Sequence, residues 1–553
     1  MMFEVLGGVV ASCVTAYVGI KLLCPWLLID FQYLKKILPA LKMFNSFEKS
    51  RTILVNLFEE NVRKNPDKVF ILFEDEKYTY KEINERANKV GRVVMSLGVK
   101  PNDNVTLVHY NSPEFAWVYL GLLKIGARVS MININLRGKA LSHSIEVSES
   151  KIILVENGLP KAAVVSQKKL MSAYMIGASA SITSNDTIYV SLPLYHSSAL
   201  VVGLGCTILT DSTIALARKF SKSNFFKDVR KYEATVILYI GELCRYLLTN
   251  EKSELDKQHK IRLAVGNGLR QDIFEEFQTR FGIQDIVEFY ASTEGALGFI
   301  NLFNMTGACG RSSPFLQKFL PCQFCKWDVE NECLVRDKNG LCVPVKQGEP
   351  GLLLVQLNKM QVFDGYKGNK KMSTSKIVCD VRKKGDQYFN SGDLLSFDQS
   401  YFVYFNDRLG DTFRWKGENV STTEISNLLT EISFIVDACV YGVSIPGCDG
   451  KAGMATLLMD SGCKQVTSEE LKAIYDYCQQ TLPVYAIPMF LRFKWGELDM
   501  TSTIKQSKVK LKQEGFDLNM IDDPLYFFDR SSKSYCSVTM ETYSDIMSQK
   551  LNF

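Results

Sequence analysis

The sequence predicts an α/β fold, with a large domain of layered sheets and helices and a smaller α/β unit after residue 408. Two observations predict it. From about residue 46, short apolar strand-like runs alternate with helix-length amphipathic segments, the pattern of largely parallel sheets. The chain has 553 residues, 46% hydrophobic and 23% charged, enough for one large core and a second smaller one.

Residues 51–65 open the pattern, with Leu54, Leu57, Phe58 and Val62 on one helical face. Residues 68–74 (KVFILFE) read as a strand, 78–97 as a helix opened by Thr79, and 103–109 (DNVTLVH) as a strand. Residues 112–125 then read as a helix and 127–132 as a strand. Further strands are predicted at 187–191, 235–239, 262–266 and 285–290. Residues 367–384 are basic and polar, which predicts a solvated loop.

Before these elements runs an apolar stretch, uncharged over 5–20, interrupted by Lys21 and apolar again over 22–29. A spanning helix needs about 20 such residues, and this stretch qualifies if Lys21 snorkels. A signal peptide is the rival, opposed by the acidic Glu4 and the lack of a basic start. An in-plane hairpin is a third reading, because Pro25 interrupts the second half. Lys21, Lys35, Lys36 and Lys42 follow the run, which places the body on the cytosolic side. Residues 1–45 are therefore expected to be a membrane anchor and its juxtamembrane segment.

The net charge of +5 is too dilute to argue for nucleic-acid binding. The 15 cysteines are odd in number and irregularly spaced, as reduced thiols facing the cytosol would be. Cys322 and Cys325 form a C-x-x-C, but no second ligand pair accompanies them, so a zinc site is not expected.

The chemistry gathers where apolar strands end. Residues 288–295 (EFYASTEG) follow one strand, 266–270 (GNGLR) another, and 390–393 (NSGD) a third. Strand ends carrying glycines, hydroxyls and carboxylates are ligand sites in α/β folds. Read alone, each is also compatible with a capped helix or an ordinary tight turn. The long string 404–424 (YFNDRLGDTFRWKGENVSTTE) is the most specific signal in the chain.

Taken together, these motifs resemble the fatty-acid transport protein and very-long-chain acyl-CoA synthetase family, of the adenylate-forming superfamily. The resemblance runs from about residue 50 to the end. It implies the adenylate-forming fold, with an N-terminal adenylation domain over 46–408 and a mobile C-terminal lid over 409–553. It also implies ATP, Mg²⁺ and CoA as cofactor and co-substrates, and a long- or very-long-chain fatty acid as substrate. In the family's pattern Tyr290, beside Ala291, stacks on adenine. Thr293 contacts the α-phosphate and Glu294 holds Mg²⁺, which a hard carboxylate oxygen suits. Gly266, Asn267 and Gly268 line the adenine pocket, while Asp393 and Arg408 contact the ribose. His196, in a P-x-x-H motif, lies near the acyl carboxylate; a packed core histidine is the equally weighted reading. Lys505, in T-S-T-I-K, bridges acyl carboxylate and α-phosphate; Lys416 and Gly417 lie on the loop that serves thioester formation. A cytosolic catalytic domain anchored at the endoplasmic reticulum, plasma membrane or peroxisome follows from the same likeness, and a homo-oligomer is compatible with it.

One part of the pattern is missing. The family carries a T-S-G-T-T-G-L-P-K phosphate loop after a strand. Here only 157–161 (NGLPK), with Gly158 and Lys161, remains, joined directly to 151–156 (KIILVE). Such loops work by pointing successive backbone N–H groups at phosphate oxygens, and half a loop offers fewer. A catalytically impaired variant or pseudoenzyme acting in lipid uptake or binding is therefore the rival expectation.

Overall fold

A computed structural model describes the chain except for residues 1–20, 22, 133, 135–144, 156–161, 165–175, 197, 292–297, 329–332, 359–369, 410–412, 416–417, 447, 449, 460–464, 496–507, 530, 531, 533 and 552–553. Its internal contacts divide the chain into two units. One comprises Met1–Pro321, Asn358–Ser375 and Asp398–Tyr404; the other comprises Cys322–Leu357, Lys376–Phe397 and Phe405–Phe553.

The first described helix, α1 (Pro25–Ser50), belongs to the large unit. Lys21 and Leu23 are helical, Cys24 is not, and a new helix starts at Pro25, whose missing N–H costs nothing in a first turn, so the helical path is interrupted where the sequence places a break. Tyr33 and Ile37 of α1 join the main hydrophobic core. Asp30 and Arg311 form an ion pair of 2.7 Å with both side chains fully buried. Ser313 donates to the second Asp30 oxygen at 2.5 Å, and Arg311 reaches the carbonyl of Trp26 at 2.7 Å. Buried charges persist only when paired in this way. Residues 25–45, expected as a juxtamembrane segment, are thus an integral part of the large unit. No helix among the described residues is long and apolar enough to cross a membrane. Residues 1–20, which include the uncharged part of the expected span, lie outside the described residues.

Helix α2 (Leu54–Lys64) is followed by strands β1 (Val69–Phe73) and β2 (Glu76–Thr79) and by helix α3 (Tyr80–Ser96). Thr79 caps α3 reciprocally: its Oγ1 accepts from the Glu82 N–H at 3.2 Å, and the Thr79 N–H donates to the Glu82 carboxylate at 2.8 Å. Strand β3 (Asn104–Val108), helix α4 (Pro113–Lys124) and strands β4 (Arg128–Ile132), β5 (Ile152–Val155) and β6 (Ala162–Val164) complete a four-stranded sheet of order β5-β3-β4-β6. The strands on either side of residues 156–161 are therefore both edge strands of this sheet.

The main sheet adds β7 (Thr187–Val190), β8 (Thr213–Leu216), β9 (Val236–Ile240), β10 (Leu263–Asn267), β11 (Asp285–Ala291) and β12 (Gly298–Asn301), in the order β12-β11-β10-β9-β7-β8-β1-β2. Its inner pairs are parallel and its two outermost pairs antiparallel. Parallel strands buried on both faces need continuous apolar runs, and β7 to β11 supply them.

The second unit is built mostly of antiparallel pairs, so the expectation of largely parallel sheets applies to the first unit alone. Gly351–Gln356 pairs antiparallel with Cys322–Cys325 and with Gln387–Phe397, which also pairs with Ile377–Cys379. Helix Lys370–Ser375 and strand Ile377–Cys379 stand where a solvated loop was expected. The Cys325 thiol meets Cys342, not its C-x-x-C neighbour, and no metal-binding cluster occurs among the described residues. A five-stranded sheet from Ile435–Val443 to Ser534–Ser537 carries a separate core. Beside that core Arg492 is buried between Glu514 (2.6 Å) and Asp523 (2.5 Å).

Candidate active site

The carboxyl ends of β7, β9, β10 and β11 open on one edge of the main sheet, because these strands are adjacent and parallel. The residues that follow them are the Tyr195–His196 turn, Gly241, the Gly266–Arg270 loop and Tyr290. The fold thus brings His196, Gly266, Asn267, Gly268, Tyr290 and Ala291 to a common edge. Tyr290 is half-buried, with its ring 5.9 Å from Phe299. The His196 ring packs on Tyr195 at 4.8 Å, and its backbone N–H closes a turn onto the Pro193 carbonyl at 2.9 Å.

The glycines of this loop have separate reasons. Gly268 has φ +78°, a backbone conformation that favours glycine. A side chain at Gly266 would lie 2.3 Å from the Tyr239 carbonyl and 2.6 Å from its ring. The close approach at Gly266 is therefore to strand β9.

Glu288, one strand over, holds the loop. Its carboxylate accepts from the backbone N–H groups of Gly268 and Leu269, the latter at 3.2 Å, and from the Tyr239 hydroxyl. Burial pushes the Glu288 carboxyl up to about 8, against the opposing pull of the tyrosine and the two amides. Sequence reasoning missed this role. The only signal was a carboxylate at the inward position of an otherwise apolar strand.

In the second unit, Asp393 is 3% exposed and accepts from Arg408 Nε at 3.0 Å. The two residues assigned to the ribose are thus side by side. The turn before Asp393 is set by Gly392, with φ +78°, and by the Ser391 hydroxyl, which accepts from the Asp393 N–H at 3.1 Å. The neighbouring Asp407 was also missed. It is 2% exposed, and takes the Ser421 hydroxyl at 3.0 Å and the Thr423 hydroxyl at 3.3 Å. Ser421 in turn caps helix Thr422–Leu429. Asp407 so ties the strand carrying Arg408 to the first turn of that helix.

Gly158, Lys161, Thr293, Glu294, Lys416, Gly417 and Lys505 lie outside the described residues. Lys508, three residues after Lys505, starts helix Lys508–Glu514 and donates to Thr422 Oγ1 at 2.8 Å.

Known proteins share this arrangement. The AMP-binding enzyme family matches residues 58–159 and 157–367, two stretches that overlap at 157–159. Long-chain fatty acid transport protein 2 of Rattus norvegicus is 37% identical, over 96% of each chain. Long-chain fatty acid transport protein 6 of Mus musculus is 37% identical over the whole of both. The medium/long-chain-fatty-acid–CoA ligase FadD6 of Mycobacterium tuberculosis is 33% identical, over 88% of this chain and 89% of its own. Among solved structures, ATP-bound MatB from Rhodopseudomonas palustris superposes with a TM-score of 0.69, covering 84% of this chain and 99% of its own at 19% identity. The anthranilate CoA ligase AuaEII with anthranoyl-AMP gives 0.68, over 83% and 96%, at 17% identity. The fold is that of the adenylate-forming enzymes, and the chain belongs to the AMP-binding enzyme family, among the long-chain fatty acid transport proteins.

Proposed function

We propose that this protein activates long- and very-long-chain fatty acids to acyl-CoA through an acyl-adenylate, using ATP and CoA, and that this activation drives fatty-acid uptake. The observation that carries the reading is its likeness, over 96% of its length, to a long-chain fatty acid transport protein. That likeness, together with the likeness to a fatty-acid–CoA ligase, favours a ligase, slowed where its phosphate loop is short, over a pseudoenzyme acting only in lipid uptake or binding.

In this reading the edge formed by Gly266–Gly268 and Tyr290 receives adenine, and Asp393 with Arg408 receives the ribose. A carboxylate accepts both hydroxyls of a ribose with good geometry. Thr293 and Lys505 steady the α-phosphate, and His196 shields the acyl carboxylate. Glu294 supplies a hard oxygen suited to Mg²⁺, which neutralises phosphate charge. Lys416 and Gly417 serve the second half-reaction, in which the CoA thiol displaces AMP after residues 409–553 rotate about a hinge at 409–411. No side chain becomes covalently attached; catalysis is positioning and charge neutralisation. Membrane attachment through the apolar run at 5–20 keeps the enzyme beside its substrate.

The test is fatty-acid-dependent ATP–pyrophosphate exchange, measured on this chain and on one in which the family's complete loop, T-S-G-T-T-G-L-P-K with the strand before it, is restored ahead of Leu159. The restored chain should exchange at least about 100-fold faster, because each lost phosphate donor costs about 3–4 kcal/mol in the transition state. No exchange in the restored, folded chain would overturn the ligase reading. Equal rates would show that residues 157–161 suffice.

A further inference from the structure

The outward face of α1 is built unlike the rest of the surface around it. Asp30, Tyr33, Ile37 and Ala40 turn inward. Phe31, Lys35, Leu38, Lys42 and Lys49 recur at spacings of four, three, four and seven, which places them on a single opposite stripe. Phe31 is 50% exposed and Leu38 45%. The three lysines are exposed and no acidic residue falls on the stripe, since Asp30 is buried and paired. Lys36, by contrast, turns back to the body, donating to the Leu302 carbonyl at 2.7 Å and lying 5.2 Å from the Phe303 ring.

The stripe continues onto a second segment. The Phe31 ring lies 6.2 Å from Phe315, and Phe315 lies 5.6 Å from Phe319. Phe319 is 60% exposed and Leu320 39%, next to the exposed Lys318. Single exposed apolar side chains need no explanation, but aromatic and leucine side chains joined in a row and flanked by lysines form a patch. The buried Asp30–Arg311 pair fixes the helix and the chain just before 315–320 to one another, so the patch has one geometry.

We propose that this patch is a bilayer-contact surface, in which Phe31, Leu38, Phe319 and Leu320 seat at the headgroup level of an anionic phospholipid membrane and Lys35, Lys42, Lys49 and Lys318 meet its phosphates. Two observations select a lipid surface over other occupants. Charge complementarity is one, because amphipathic helices with lysines beside aromatic and leucine side chains bind anionic interfaces. Continuity is the other: the uncharged apolar run of residues 5–20 precedes the patch in the chain, ending eleven positions before Phe31. The inference rests on the reading of that run as a membrane anchor and extends it. The anchor is not a tether to a freely tumbling body, because the helix that follows it is locked into the large unit and sets which face of that unit meets the membrane.

The full-length protein is reconstituted in vesicles of phosphatidylcholine and phosphatidylserine that contain a phospholipid bearing a photoreactive diazirine near its headgroup. After irradiation the labelled peptides are mapped by mass spectrometry. Label is expected in 31–42 and 315–320 as well as in 1–20, and not around Val484, an equally exposed apolar residue of the other unit (77%). The double variant Phe31→Asp/Phe319→Asp alters only exposed positions. It should cut labelling of 31–42 and 315–320 at least tenfold while 1–20 stays labelled. Label confined to 1–20, label spread equally to Val484, or cross-links between protein copies at Phe31 and Phe319 in place of lipid would each overturn the proposal. Label in 31–42 and 315–320 without label in 1–20 would uphold the surface and overturn the anchor.

Discussion

Glu288 and Asp393 are both buried carboxylates within strands, each beside a glycine with φ +78°. They differ in what they meet. Glu288 is enclosed by its own chain: two backbone amides of the Gly266–Arg270 loop and the Tyr239 hydroxyl converge on it. Asp393 meets Arg408, whose side chain is 58% exposed. A carboxylate spent on backbone amides shapes a loop, while one facing an exposed guanidinium remains within reach of a ligand. The difference separates a residue that builds the Gly266–Arg270 loop from one that, in the proposed function, touches the nucleotide.

The largest effect follows from removing the enclosed member. Glu288→Ala would leave two amides and a tyrosine hydroxyl buried without their acceptor. Each such group costs about 1–3 kcal/mol, so denaturant unfolding should show a loss of about 3 kcal/mol or more. A loss below about 1 kcal/mol would mean that the loop holds itself.

Next in size is a pH dependence carried by the same carboxyl. Its folded value of about 8 lies above the ordinary value of 4.5. The native state therefore holds a proton that the unfolded chain has released, and stability falls as pH rises between these two values. The slope in that window is about 1.4 kcal/mol per pH unit, and the contribution is gone above pH 8. The groups facing Glu288 are Tyr239 and Cys244, both held neutral by burial in this range. Glu288→Gln, which keeps the shape and cannot ionise, should remove this component of the slope between pH 5 and 8. An unchanged slope in the variant would assign the dependence to other groups.

Asp393→Ala is expected to act on the ligand more than on the fold. Nucleotide hydroxyls left without their acceptor cost about 1–3 kcal/mol, a loss of about 5- to 150-fold in affinity. Calorimetric titration with AMP measures it, alongside a melting temperature that should move by only a few degrees. Unchanged affinity in the folded variant would remove Asp393 from the site.

The sequence made the parallel strands legible because each is dominated by apolar residues, and β1, β3, β4, β7, β9, β10 and β11 lie within one or two residues of their predicted places. Local chemistry was legible too: Thr79 was read as opening the helix that it caps. Helix α1 was not legible, because the ion pair that docks it joins residues 281 positions apart. Its apolar side chains serve both a core and a surface, which gives a weak periodicity. Among the site residues, those at strand ends could be placed from the order of strands. The roles of Glu288 and Asp407 could not, since both act through partners that only the folded chain brings near.

The smallest effect tests whether Asp393 is rightly contrasted with Glu288. Arg408→Ala removes the charged partner of Asp393, but that partner is more than half exposed, so water can take its place. Exposed pairs contribute about 0.2–1 kcal/mol and weaken with salt. Unfolding free energies for Arg408→Ala, Asp393→Ala and the double variant give the coupling between the two side chains directly. A coupling below about 1 kcal/mol, smaller still at high salt, fits a carboxylate kept for a ligand with an arginine at its mouth. A coupling above about 2 kcal/mol, insensitive to salt, would make Asp393 a second enclosed carboxylate whose work is to hold its own chain. The affinity lost in Asp393→Ala would then have to be read as an effect of distortion, and the contrast with Glu288 would fail.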